Sequence, residues 1–279
     1  MTLGSIFRSN WKKLTLTYFL FNVENALSLL KPYFLGKAID LTVKSDIKGI
    51  IYFLGLYCIY AIVGGFRRIN DTRTFSKIYA NIVTKVVHNQ NQKNVNTSTI
   101  AARASLSNKF VDFFETDVTV FFQTLYNIFG ALVLLFIYMK SLLFYCIIIM
   151  IPIALLNKIY AKKNLKLLKS YNNQIEKAVD NISSKDKKVI DEHYSEITKL
   201  RIKISDNEAF NFLSIEIFII FLIGISIGSF YGNDSVTAGT IVAVFQYVNM
   251  FILGIDDVPY LIEQINKIKD IQKRLFDDE

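Results

Sequence analysis

Apolar residues along this chain gather into six stretches separated by polar or charged segments, and each approaches the ~20 helical residues that cross a bilayer. They fall at about Leu14–Ile39, Ile47–Phe66, Asp117–Tyr138, Leu142–Asn157, Phe210–Phe230 and Ala238–Ile262. The fourth reaches full length only by borrowing the turn up to Tyr160. The first is the most polar, with Asn22, Glu24, Asn25 and Lys31 inside it. The connections alternate in length: Asp40–Asp46, Met139–Ser141 and Tyr231–Thr237 are tight, whereas Arg67–Thr116 and Lys158–Ala209 are long. The long ones keep a helical period. Phe66, Ile69, Phe75, Tyr79, Ile82, Val83 and Val86 recur at mostly three- and four-residue steps, as do Leu168, Tyr171, Ile175, Val179 and Ile182, and again Ile190, Tyr194, Ile197, Leu200 and Ile204. The spans therefore continue beyond the membrane as rods, reversing at polar turns near Asn94–Thr97 and Ser183–Asp186. A helix from Ile47 to Val95 would be roughly 70 Å long at ~1.5 Å per residue.

Composition supports this class. Hydrophobic residues make up 52% and charged residues 20%, mean hydropathy is +0.33, and only 3 Pro and 12 Gly are present. Disorder, collagen-like repeats and a disulfide-stapled fold are excluded. Cys58 and Cys146 each sit in an apolar run, where a thiol behaves as a small hydrophobe and no structural bridge is expected. The net charge of +8 could indicate nucleic acid or membrane, and its placement decides for membrane. Of 32 basic residues, 27 lie in the N-terminal segment, the two long connections and the tail, all on one side if six helices alternate in direction. Positive charge collects on the cytoplasmic side, so both termini and both long connections are expected there, in a bacterial inner membrane. Residues 1–13 read as an interfacial elbow helix anchored by Trp11, residues 14–262 as the six spans with two helical hairpins, and 263–279 as a cytoplasmic tail. Together they make one all-α transmembrane domain.

Candidate chemistry is sparse. Glu24, ten residues after the start of the first span at Leu14, lies roughly 15 Å in, where a carboxylate is costly unless neutral, paired or hydrated. At 100° per residue Thr17, Glu24, Ser28 and Lys31 share one face, a polar stripe suited to a wet cavity. Glu24 is then either a substrate or proton site, or a packing residue hydrogen-bonded to Asn22, Asn25 or a neighbouring helix. Gln123 and Asn127 of the third span, with Gln246 and Asn249 of the sixth, could line the same cavity or simply bond between helices. Asp256, Asp257 and Glu216 fall near the cytoplasmic boundary, where interfacial solvation accounts for them better than a proton relay does. Arg67 and Arg68 are expected to snorkel to the headgroups. Gly224-x-x-x-Gly228 permits close helix packing. His88 and His193 have no Cys partners, so no metal site is expected, and no catalytic set can be assigned.

Several local patterns carry a resemblance. Leu29-Leu30-Lys31-Pro32 is followed by Gly36 and by Ile39-Asp40. Ser98-Thr99-Ile100-Ala101-Ala102-Arg103 follows the first long rod, and Gly239-Thr240-Ile241-Val242-Ala243-Val244-Phe245-Gln246-Tyr247 opens the sixth span. In this order and spacing the chain resembles the membrane domain of type IV ABC exporters, from about Trp11 to Leu275. It departs at Ser107, where that family usually has an acid, and at Thr99, where it usually has glycine. The run from Ala102 to Glu115 looks closer to a stand-alone six-helix branch. No glycine precedes Gly-Lys-Ser/Thr at the spacing of a phosphate-cradling loop, and the chain stops where an exporter half would continue into its ATPase.

The resemblance implies the permease half of an exporter, forming a dimeric translocation pathway without an ATPase of its own. No cofactor is expected on this chain, and ATP would enter only through a separate ATPase subunit docking at the turns around Asn94, Thr97, Ser184 and Lys185. The expected partners are the lipid bilayer, a second copy of the chain and that ATPase, and not nucleic acid. A non-transporting scaffold, or an ion-coupled carrier using Glu24, are the alternatives; an enzyme acting on lipid comes last.

Overall fold

The computed structural model describes residues 3–93, 96–178, 183, 186–232 and 236–276. Among the described residues there is no strand. Helix α1 spans Leu3–Val43 and α2 spans Lys48–Gln92. The third column comprises α3 (Thr97–Asp112), α4 (Val118–Leu125) and α5 (Ala131–Tyr138), joined by π-helical segments at Phe113–Asp117 and Tyr126–Gly130. Then follow α6 (Lys140–Glu176), α7 (Lys187–Gly228) and α8 (Ala238–Phe276).

The rods foreseen from the period are present: α2 alone runs 45 residues, and α7 runs 42. Among the described residues, five helical stretches are long and apolar enough to cross a membrane, namely α2, Ser107–Tyr138, α6, α7 and Ala238–Ile265. Helix α1 has the length, but its polar residues keep it out of that set, so a sixth crossing rests on its packing. Helix α1 starts at Leu3 and runs without a break through the residues read as the elbow into the first span. Pro32 sits inside this helix and leaves one carbonyl without its usual amide partner.

The chain forms two compact units, residues 1–140 with 230–279, and residues 141–229. In the first unit α1 lies antiparallel to α2 across the turn at Lys44–Ile47. There Asp46 accepts the Lys48 amide at 2.9 Å, and Ser45 takes a positive φ of 61°. Helix α8 packs against α1 and the third column. Its buried face is Ala243, Val244, Tyr247, Val248, Phe251, Ile252 and Ile255, a three-and-four-residue stripe. The π-segment at Tyr126–Gly130 meets this stripe at Gly254, where an added Cβ would stand 2.6 Å from Ile128 and 3.0 Å from Asn127. A core of Leu14, Phe75, Ile78, Ile82, Val86 and Val111 ties the far halves of α1, α2 and α3 together. The stripe read along α2 thus begins at Phe75; Phe66 and Ile69 are exposed.

In the second unit, α6 buries Leu142, Cys146, Ile149, Ile153, Asn157, Tyr160 and Asn164 at steps of three and four. The inner face of this hairpin changes from apolar to polar along its length. Asn211 Nδ2 donates to Asn157 Oδ1 at 3.2 Å, and Asn164 Nδ2 donates to the Tyr160 hydroxyl at 3.1 Å. Asn207 and His193 are also buried on α7. His193 therefore belongs to the hairpin interior, and Tyr194, placed on the apolar stripe by sequence, is exposed.

Candidate functional site

The polar stripe of α1 meets α2 along its length, because two antiparallel helices joined by a short turn bring Thr17, Glu24 and Lys31 opposite Asn70, Arg67 and Tyr60, in that order approaching the start of α2. Glu24 is buried, and its carboxylate pairs with Arg67 Nε. Arg67 reaches on to Asp71, one turn later on α2, through Nη1 at 2.6 Å. Its guanidinium also lies 5.2 Å from the centre of the Phe21 ring. The side chains of Arg67, Glu24 and Asp71 are 15%, 9% and 7% exposed, so this is an interior cluster of one cation and two acids. Arg67 was expected at the headgroups; the structure corrects that, and only Arg68 faces outward. Gly64 makes the cluster possible, since a Cβ there would stand 2.8 Å from Glu24 Oε1 and 3.2 Å from its Cδ. Nearer the N-terminus, Asn70 Nδ2 donates to Thr17 Oγ1 at 2.9 Å. Tyr18 donates to the Phe114 carbonyl at 3.1 Å, and Tyr126 donates to Asn22 Oδ1 at 3.0 Å.

Lys31 lies on the other side of Glu24 along α1, two turns closer to the connecting turn. Its ammonium is 3.0 Å from the centre of the Tyr60 ring and 4.8 Å from that of Tyr57. Ser28 is half-buried between these two charged positions.

The remaining cavity candidates separate. Asn127 is buried in the contact with α8, whereas Gln123, Gln246 and Asn249 are exposed. On α8, Gln246 and Asn249 are one turn apart on the face opposite the buried stripe. Asp257 accepts from Thr124 Oγ1 at 3.2 Å, and Tyr260 donates to Asp117 at 2.6 Å, so two acids near that end of the bundle bond across helices. Of the turn residues, Thr97 is the exposed first residue of α3; Asn94, Ser184 and Lys185 lie outside the described residues. No group of His, Cys, Asp and Glu suited to a metal occurs among the described residues.

The opposite end of the α1–α8 contact joins two of the sequence patterns directly. The backbones of Gly36 and Gly239 touch, and a methyl group on either would overlap the other's carbonyl oxygen. Asp40 then caps α8 from outside it, accepting from the Gly239 amide at 2.8 Å and the Thr237 hydroxyl at 2.7 Å. Tyr247 of the same helix donates to the Leu29 carbonyl at 3.1 Å, three residues before Pro32.

Long, apolar, membrane-crossing helices with a buried charged seam between the first two define a multi-pass membrane protein. The sequence pattern of the ABC transporter transmembrane region matches residues 3–239, and the chain belongs to that family. A search of curated proteins finds no match. Membership makes the chain a transport-type membrane component.

Proposed function

We propose that this chain is the membrane half of an exporter-type ABC transporter, in which two copies pack to enclose one translocation path. Nucleotide would be bound and hydrolysed outside these 279 residues, because no phosphate-cradling loop occurs within them. The observation that carries the pairing is the amount of apolar surface left uncovered. Helices α6 and α7 each bury only 22% of their most apolar stretch within the chain, and Gly224 and Gly228 of α7 have open space where a Cβ would go. Lipid can cover such faces, but a pair of glycines one turn apart offers a flat strip on which a second helix packs closely. Both termini and the polar turns, including Thr97, would then face the cytoplasm, where an ATPase docks.

Mass measurement of the purified protein in nanodiscs tests the pairing: a dimer supports it and a strict monomer refutes it. Bulky charges introduced at Thr97, Asn94, Ser184 and Lys185 should abolish co-purification of an ATPase. Cysteines introduced near Asn94 or Lys185 should react only with reagents that enter the cell. The Glu24 carboxylate is already engaged by Arg67, which favours the nucleotide-driven reading over an ion-coupled one.

A further inference from the structure

We propose that Lys31, with Tyr57 and Tyr60, forms a binding site for the anionic head of a single-chain amphiphile inside the membrane. Lys31 is 12 residues from the end of α1 at Val43, and Tyr60 is 12 residues from the start of α2 at Lys48. At ~1.5 Å per residue both lie roughly 18 Å from the connecting turn, more than half of a ~30 Å hydrocarbon layer. An ionised lysine at that depth is costly unless it is paired or reaches water.

The acids on either side of it along α1 are provided for. Glu24 has Arg67, and Asp40, near the helix end, has the amide of Gly239 and the hydroxyl of Thr237. Lys31 has two aromatic faces. Tyr57 and Tyr60 are one turn apart on α2, with ring centres 6.0 Å from each other and planes at 62°, and the ammonium sits against both. Ring faces attract a cation but carry no net charge, so they hold the ammonium in place without neutralising it. Among the described residues no carboxylate lies within ion-pair distance of Lys31. The ammonium still has donors to give, and the two phenols carry hydroxyls that also donate. A carboxylate or phosphate is the chemistry that answers all of these groups together.

The surroundings suit an apolar tail. Lys31 is half-buried, Tyr57 is 47% exposed, and Leu54, one turn before it on the same face of α2, is 55% exposed. Leu30 beside the lysine is 39% exposed. The charged end of an amphiphile would meet Lys31 while its chain lay along Leu54 and Leu30. The site concerns binding alone and stands apart from the transport reading.

The test uses the full chain in nanodiscs of zwitterionic lipid, with native mass spectrometry or competition against a fluorescent fatty acid. The probes are palmitate, lysophosphatidate, hexadecanol and hexadecyltrimethylammonium. Palmitate, lysophosphatidate or both should bind at least about tenfold tighter than the alcohol and the cation, as one charge-assisted contact predicts. Comparing the two anions tells a carboxylate site from a phosphate site. Adding an anionic phospholipid to the nanodisc should suppress the response if bilayer lipid occupies the site, and leave it unchanged if the occupant is a free amphiphile. Lys31→Met should remove the preference, while Lys31→Arg keeps it within a few-fold. Equal binding of palmitate, lysophosphatidate and hexadecanol to the unmutated protein overturns the proposal without any variant. So does an unchanged preference in Lys31→Met.

Discussion

Replacing Arg67 by methionine is the sharpest test of how the first two helices are held together. The substitution keeps the length of the side chain and removes the guanidinium, leaving the carboxylates of Glu24 and Asp71 in one interior space. Their side chains are only 9% and 7% exposed, so water cannot take over the lost contacts cheaply. Gly64 stands so close behind Glu24 that the carboxylate has little room to withdraw along α2. Removing one partner of a buried ion pair costs about 3–5 kcal/mol, mostly because the other charge is left unpaired. An arginine reaching the headgroups would instead lose at most about 1 kcal/mol, the usual worth of an exposed pair. The two accounts therefore differ by at least ~2 kcal/mol. The assay is unfolding of the purified protein in nanodiscs, read by the fraction remaining soluble and monodisperse after heating. Glu24→Gln in the Arg67→Met background should recover part of the loss, with a coupling energy of about 1–3 kcal/mol, and adding Asp71→Asn should recover more. Arg67→Lys should fall between, since an ammonium cannot present a rigid fork to two carboxylates. A loss below ~1 kcal/mol in Arg67→Met, or no recovery when Glu24 is neutralised, would refute the buried cluster.

Other substitutions probe separate parts of the molecule. Gly64→Ala should destabilise by about 1–3 kcal/mol through its clash with the Glu24 carboxylate, and should cost much less when added to a Glu24→Ala chain, by the same unfolding assay. Asp40→Ala removes the cap that α1 gives to α8 and should cost about 1 kcal/mol, whereas Asp40→Asn should retain most of it. Phe75, 1% exposed at the centre of the α1–α2–α3 core, should cost about 3–5 kcal/mol when cut to alanine. Gly224→Ala with Gly228→Ala meets open space within the chain and should leave the stability of a single copy unchanged. If a second copy packs on that strip, the same pair should lower the dimer fraction in nanodiscs.

The candidate site was only partly legible in the sequence. The stripe of Thr17, Glu24, Ser28 and Lys31 follows from 100° per residue and is present on α1, but its neighbours do not follow. Arg67 reads as a headgroup anchor because it ends an apolar run. It turns inward because α1 and α2 are set in a register that places it beside Glu24, with Gly64 giving the room. A signal was available: an acid mid-span needs a counter-charge, and Arg67 is the first arginine after it in the chain. Gln123, Asn127, Gln246 and Asn249 look alike in sequence, yet only Asn127 is buried: it lies in the π-segment at Tyr126–Gly130, which shifts the facing of its own column by a fraction of a turn, whereas Gln246 and Asn249 lie opposite the buried stripe of α8. Nothing in residue periodicity announces that shift. The same holds for the hairpin interior, where Asn157, Asn164, Asn207 and His193 are buried at positions that polarity alone assigns to solvent.

By itself the sequence determined that long helices cross a membrane, that two pairs of them extend as rods, and that short and long connections alternate. These properties depend on local period and on the cost of leaving backbone amides unpaired in lipid, and both act within a single segment. The tertiary structure alone decided which polar residue meets which: Glu24 with Arg67, Asp40 with the start of α8, and Lys31 with two tyrosines. Those pairings depend on the relative sliding and rotation of whole helices. A displacement of one residue turns a side chain by 100°, and no property of either segment taken alone records it.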